Sequence, residues 1–333
     1  MCVMMNVEKL ILDNTNYSIS IQQGESTGRF ILSRETIQRG SKVISLPRTS
    51  CHGIYNHLVR QVCHTCLKHS TLGNLKLSCQ TCKQVYYCSR ECQDAAERGL
   101  FHNHLECLVL RWLRVPAGFT MHQVAEIRMV VNHFSKVAYG TDDKAIKQTV
   151  GEFNRFPKED SKLIIKMSAV VKRAFAGYLC DLDDSHICEV LAQSNRNSFG
   201  LWKSSDEQYG LAMYATASFL NHSCFPNCAR VQRNAGIDIV AIRDIEENDE
   251  ITICYINARD NDTARRMILK GCYYFDCQCI RCDYKTLESK KLEISTLLQQ
   301  SIMCTNPKIN CCGYFIPNQN NQNNNNFNNN EMI

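Results

Sequence analysis

Cysteine spacing constrains this chain more than any other feature. The 333 residues include 21 cysteines, and several fall in pairs at the intervals that metal sites use. "CHTC" supplies Cys63 and Cys66, "CQTC" supplies Cys79 and Cys82, and "CSREC" supplies Cys88 and Cys92. "HLEC" then adds His104 and Cys107. In a small secreted domain such density would mean disulfides. This chain is long, however, and its start, "MCVMMNVEKLILDN", has neither a basic leader nor a long apolar core. A reducing, intracellular compartment is therefore expected, cytoplasmic or nuclear, where paired thiols hold metal. No apolar run nears the roughly 18 residues that span a bilayer, so no membrane partner is expected.

A closed zinc site takes four ligands, and the pairs between Cys63 and Cys107 are enough for two such sites with no open position. The Cys88–Cys92 pair and the His104–Cys107 pair each suit one face of a helix, where residues three or four apart are neighbours. The stretch resembles the MYND zinc finger, including its "YYC" before the third pair. The resemblance implies interleaved sites, with Cys63, Cys66, Cys88 and Cys92 on one zinc and Cys79, Cys82, His104 and Cys107 on the other. The family has three residues between its last His and Cys, and this chain has two. His102 is the rival, but five residues from Cys107 it would point off the helical face, so His104 is expected. The resemblance also implies that the finger docks proline-rich peptides or packs against its own catalytic domain. With six Lys/Arg against four Asp/Glu from residue 60 to 107, and a net charge of +5 overall, direct nucleic-acid binding is not expected.

A second cluster lies farther on. Cys224 in "SFLNHSCFPNC" has Cys228 nearby but no further His or Cys for about two dozen residues, while "FDCQCIRC" offers Cys277, Cys279 and Cys282, one ligand short of a tetrahedron. Cys224 supplies the fourth. "NHSCFPNC", "ITICY" and "FDCQCIRC", in that order and behind a MYND-like finger, resemble the SET-and-MYND group of protein-lysine methyltransferases over residues 15 to 285. The resemblance implies S-adenosylmethionine as cofactor, three structural zinc ions, and a protein substrate with an accessible lysine, histone or non-histone. It implies that Tyr255 is the catalytic residue and also touches the cofactor, orienting amine and methyl through its phenol oxygen. Asn221 and His222 would hold the cofactor through side-chain amide and backbone contacts. Ser218 and Asn197 match positions near its amino-acid end, and Tyr273 and Phe275 match flanking aromatics. The early glycine turn departs from the group: "GESTGR" has only Gly24 and Gly28, so it is the backbone near Gly28 that is expected to contact the cofactor.

The pattern around these motifs is mixed. Residues 17 to 46 read as short strands, with Ile19 and Ile21 alternating and turns at Gly24 and Gly28. Val124, Ile127, Val131, Phe134 and Val137 recur at helical spacing, as do Leu163, Met167, Val170, Ala174 and Tyr178. "GIDIVAIRDI" and "EITICYI" read as strands after a turn at Asn234-Ala235-Gly236, and "TLESKKLEISTLLQQ" as a helix. The fold class expected is α+β: a β-rich knotted SET domain with an inserted finger, a helical insertion and a zinc-bound post-SET segment. The expected boundaries are 1–60 for the N-terminal SET part, 61–107 for the finger and 108–195 for the helical insertion. The core SET part follows at 196–257, the post-SET segment at 258–290, and a C-terminal helix with an Asn-rich tail at 291–333. Cys304, Cys311 and Cys312 lack a clear fourth ligand, and a monomer is expected.

The chemistry implied is an in-line displacement, for which the protein aligns the partners and excludes water. A lysine in an apolar channel beside a sulfonium is deprotonated by desolvation and by like charge, so no dedicated base is required. The alternative is a catalytically inactive SET scaffold that presents its finger to partner proteins.

Overall fold

The computed structural model describes residues 9 to 315 except 10, 25–27, 100, 142–143, 179–181, 205–206, 284–285, 301, 304–309 and 312–313. Cys304 and Cys312, and the Asn-rich tail beyond residue 315, lie outside the described residues. The strands in chain order are β1 (Ile19–Gly24), β2 (Gly28–Ser33), β3 (Lys42–Leu46), β4 (Cys51–Ile54), β5 (Leu77–Ser78) and β6 (Tyr86–Tyr87). They continue with β7 (Ser198–Trp202), β8 (Gln208–Met213), β9 (Asn221–His222), β10 (Cys228–Arg233), β11 (Gly236–Ala241), β12 (Thr252–Ile253), β13 (Ile302–Met303), β14 (Asn310–Cys311) and β15 (Tyr314–Phe315). The helices are α1 (Arg90–Glu97), α2 (His104–Trp112), α3 (Met121–Ala138), α4 (Lys158–Phe175), α5 (Asp184–Asn197), α6 (Asp262–Cys272) and α7 (Glu288–Gln300). Among the described residues, no helix is long and apolar enough to cross a membrane.

The chain divides into two compact units. The first holds residues 1–45, 219–231 and 238–333; the second holds 46–218 and 232–237.

The second unit is built on α3 and the sheet β4-β8-β7, whose neighbouring strands run antiparallel. Thr120 and Gln123 close a capping box at the start of α3, which satisfies two backbone donors that the first turn leaves open. Sequence periodicity predicts one apolar face here, yet every residue from Ala125 to Ser135 is buried. Buried polar side chains there take partners: Arg128 donates to the carbonyl of Gln84 and Asn132 to Glu106 Oε1. Gly53 explains how close the helix comes: a Cβ there would stand 1.8 Å from the Ala125 carbonyl oxygen, so only glycine lets β4 lie against the α3 backbone. Helix α4 keeps the predicted period but with the stripe shifted: Met167 and Val170 are buried as expected, while Ile164, Val171 and Phe175 are buried in place of Leu163, Ala174 and Tyr178, each buried side chain worth about 1.5–3 kcal/mol. It ends at Phe175, short of the predicted Tyr178.

In the first unit β1 and β2 form an antiparallel pair closed by Gly24 opposite Gly28, and Gly28 sits at φ +68°, where only glycine is unstrained. In a second sheet, β11 lies between β10 and β3. The predicted strand through Tyr255 is much shorter than its alternation suggests. Only Thr252 and Ile253 pair, in parallel with Asn221 and His222 of β9, and Tyr255 lies beyond the strand end. The alternation from Ile251 to Tyr255 reflects burial of Ile251 and Ile253 rather than a long ladder. Helix α6, capped by Asn261, turns Arg265 and Leu269 inward and ends at Tyr273, after which Tyr274 at φ 62° reverses the chain into the last cysteines.

Candidate metal sites and the tyrosine cluster

Each Cys-x2-Cys pair of the finger is a tight knuckle. Leu67 and Lys83 take left-handed φ values of 57° and 54°, and their N–H groups donate to the carbonyls of Cys63 and Cys79 at 2.8 and 3.0 Å. Neither position is glycine, so the sequence carries no turn signal there. The second knuckle lies in the connection between β5 and β6, Cys88 follows β6 directly, and Ser89 caps α1 by accepting from the N–H of Cys92.

These devices bring Cys63, Cys66, Cys88 and Cys92 together, with Cys66–Cys88 and Cys88–Cys92 sulfurs 3.6 Å apart. A second group joins Cys79, Cys82 and Cys107, with Cys79–Cys107 sulfurs also 3.6 Å apart. A tetrahedron with zinc–sulfur bonds of about 2.3 Å needs sulfurs about 3.8 Å apart, so both groups fit zinc. Crowding favours a thiolate in each group: a hydrogen bond from Cys66 holds the Cys63 thiol well below its ordinary value, and one from Cys82 does the same for Cys79.

The histidine of the second group is His102, not the expected His104. His102 Nε2 lies 3.4 Å from Cys82 Sγ, whereas His104 is exposed. The expectation assumed one helix running through both histidines. Instead Asn103 caps α2, accepting from the N–H of Glu106, so the helix begins at His104 and His102 sits in the preceding loop, free of helical geometry. Glu106, which the motif reading passed over, is 1% exposed and holds His102 Nδ1 at 2.9 Å. The same carboxylate oxygen meets His64 Nε2 at 3.3 Å, and Asn132 donates to the other oxygen at 2.8 Å. A carboxylate behind a ligand histidine fixes its tautomer and ring orientation.

The third group lies wholly in the first unit. Cys224, Cys277, Cys279 and Cys282 converge, with Cys224–Cys282 sulfurs 3.6 Å apart, and hydrogen bonds from the other three draw Cys279 far below an ordinary thiol. This donor set also fits zinc. Leu269 is fully buried in the cluster, and Ile256, Tyr273 and Phe275 pack against it. Arg281, placed between the last two cysteines, is 5% exposed and donates to the carbonyls of Cys224 at 3.1 Å and Ala258 at 2.7 Å. An arginine within a cysteine run reads as solvated, and nothing in the sequence marks it as buried.

Next to this cluster stands Tyr255. Its hydroxyl donates to the carbonyl of Leu220 at 2.6 Å, and burial pushes its pKa well above that of a free phenol. Its N–H donates to His222 Nδ1 at 3.0 Å, and Tyr273 donates its hydroxyl to the Tyr255 carbonyl at 3.3 Å. The Tyr255 ring centre lies 5.1 Å from that of Tyr273 and 5.2 Å from that of His222, and Phe275 lies 6.0 Å from His222. Burial lowers His222 to about 4, so its imidazole is neutral.

Asn221 is held equally firmly. Its amide nitrogen donates to the carbonyl of Arg29 at 2.9 Å and to Glu250 Oε1 at 3.0 Å. Both partners only accept, so the amide orientation is fixed and Oδ1 faces away from them. Arg29 follows Gly28, and its guanidinium lies 4.5 Å over the ring of Phe219. Asn197 and Ser218 belong to the second unit, where the Ser218 hydroxyl reaches the Asn197 carbonyl at 3.3 Å. The Asn197 amide nitrogen donates to the carbonyls of Val150 and Gln193, each at 2.8 Å.

The SET domain family model matches residues 28–256, and the chain belongs to the SET-domain family. It is 33% identical over 352 residues to a SET domain-containing protein of Dictyostelium discoideum, covering 89% of each chain. A SET and MYND domain-containing protein of the same organism is 24% identical over 346 residues, covering 86% of this chain and 88% of the relative. Histone-lysine N-methyltransferase SMYD3 of Mus musculus is 28% identical over 252 residues, covering 69% of this chain and 54% of that relative. The chain thus spans about half the length of the methyltransferase it matches. The α+β mixture expected from the sequence is that of the SET fold.

Proposed function

We propose that the chain is an S-adenosylmethionine-dependent methyltransferase acting on the lysine ε-amine of a protein substrate, with Tyr255 as its catalytic residue. When bound, the cofactor supplies a methyl group already activated by its sulfonium. The rest of the task is alignment and exclusion of water, and the residues around Tyr255 suit it.

The observation that carries the reading is the state of the Tyr255 hydroxyl. Its proton is directed to the Leu220 carbonyl and burial keeps the phenol neutral, which leaves oxygen lone pairs to accept from an incoming amine. Asn221, with its nitrogen committed to Arg29 and Glu250, offers Oδ1 as an acceptor for the cofactor's ammonium group. The backbone of Gly28 and of His222 would flank the cofactor, and Tyr273 and Phe275 would form the apolar wall. A lysine entering that wall loses its proton by desolvation before transfer. Three zinc ions, on the two finger groups and on the Cys224 group, would hold the scaffold.

Calorimetry with S-adenosylmethionine, followed by transfer of labelled methyl groups to histones and to a cell extract, tests the proposal. Binding with no transfer by Tyr255→Phe, a loss of about 100-fold or more, is expected for an oriented contact to the reacting centre. A Tyr255→Phe variant that transfers as fast as the parent removes the role of Tyr255. Absence of any cofactor heat favours the inactive scaffold.

A further inference from the structure

We propose that the His222 imidazole is a positioning residue that couples the Cys224 corner of the four-cysteine group to Tyr255. The inference rests on the reading of Tyr255 as the catalytic residue. It begins from a problem of backbone support. Tyr255 lies past the two-residue strand β12, so no ladder holds its peptide groups. Side chains hold them instead: His222 takes the N–H at 3.0 Å and Tyr273 takes the carbonyl at 3.3 Å.

The hydrogen bonds also fix the imidazole. A peptide N–H only donates, so His222 Nδ1 must accept and cannot carry a proton. The ring proton is then on Nε2, which lies 3.2 Å from Cys224 Sγ. Both nitrogens are thus committed, one to the tyrosine backbone and one to a sulfur that would ligate the ion. Neither is left for the cofactor or for proton transfer, so His222 acts through Tyr255 and through the metal site. Parallel pairing of β9 with β12, with His222 opposite Ile253, sets the ring at the height of Tyr255 two residues on. Tyr273, which holds the Tyr255 carbonyl, packs against the same cluster of Cys224, Cys277 and Cys282.

Two substitutions separate the two contacts. In His222→Asn the side-chain oxygen falls near the position of Nδ1 and can accept from Tyr255, but nothing reaches Cys224. In His222→Gln the amide nitrogen falls near Nε2 and can donate to Cys224, but the Tyr255 N–H loses its acceptor. Both zinc-loaded proteins are compared with the parent for zinc release to a colorimetric chelator, for cofactor affinity by calorimetry, and for kcat and KM. His222→Asn is expected to release the third ion about tenfold faster than His222→Gln. His222→Gln is expected to lose about tenfold more kcat than His222→Asn, with KM and cofactor affinity moving together in both. The rank order of the variants therefore reverses between the two readouts, which a residue that only fills space would not produce. The same order in both readouts, or no difference between the variants, overturns the coupling. If the parent transfers no methyl group, the methyltransferase reading fails by itself. The chelator arm still decides the metal contact: equal zinc release by His222→Asn and the parent overturns it.

Discussion

The finger and the Cys224 group use one chemistry for two structural ends. In the finger, every ligand from Cys63 to Cys107 is delivered by a knuckle, a hairpin or a helix cap close to it in the chain. A metal bound there would stand in for a hydrophobic core that so short a segment cannot assemble. The Cys224 group gathers one sulfur from beside β9 and three from beyond α6, and the neighbours of those sulfurs reach Tyr255. Local closure in the first case and long-range coupling in the second predict different consequences for the same injury.

The largest contrast comes from removing one sulfur. Cys277→Ser and Cys88→Ser should each lose one ion from the zinc content of the purified protein. A structural site is worth on the order of 10 kcal/mol to the segment it folds, so each loss is locally severe. Turnover is expected to fall about 100-fold or more in Cys277→Ser, because Tyr273 and His222 lose their footing, and only about fivefold or less in Cys88→Ser, whose side chain is exposed and whose partners lie close by in the chain. Equal losses of turnover would erase the distinction between the two regions.

A smaller effect separates the two units by pH. Glu126, inside α3 of the second unit, is 5% exposed, and its carboxylate accepts from the Ser194 hydroxyl at 2.8 Å. Burial raises its carboxyl from 4.5 to about 7. Below pH 4.5 both the folded and unfolded carboxyl are protonated. Between 4.5 and 7 the unfolded chain ionises and the folded one does not, so stability falls as pH rises through that interval. At about 1.4 kcal/mol per pH unit the loss totals about 3 kcal/mol. Glu126→Gln should be free of it, so its advantage over the parent should grow by that amount from pH 4.5 to pH 7. Hydrogen exchange along α3 would report the change, and exchange in β9 and β12 should not follow it. A constant gap between variant and parent across this range would show that Glu126 ionises normally.

Legibility followed the distance over which a residue's environment is decided. Cysteine pairs, "NHSC" and "ITICY" announce themselves because their chemistry depends on spacing within a few residues. The period of α4 was visible for the same reason. That of α3 misled, because burial on all sides depends on Gly53 and the strands that close over it. Arg281, Glu250 and Asn132 matter only through partners far away in sequence, and no local pattern distinguishes them from solvated side chains. His102 was misjudged for a narrower reason. Asn103 is a good N-cap, and a cap at that position starts the helix at His104 and leaves His102 outside it.

His102 also gives the finest test of the comparison, since the finger has a coupling of its own. His52 Nε2 meets His64 Nδ1 at 3.4 Å, and His64 and His102 share Glu106, so a buried chain runs from β4 to the second metal group. If the finger is as locally closed as its spacing implies, Glu106→Gln should weaken only that ion. Loss of a carboxylate behind a ligand histidine costs about 10- to 100-fold in metal affinity, and the amide keeps the volume and one acceptor oxygen. Competition with a chelator should show that loss for one ion while turnover stays near the parental value. His102→Ala should lose the same ion outright, and His104→Ala should retain it. Retention by His102→Ala together with loss in His104→Ala would return the ligand role to His104. A fall in turnover with Glu106→Gln would mean that the finger, too, transmits to Tyr255, and the division between a closed site and a coupled one would have to be redrawn through β4.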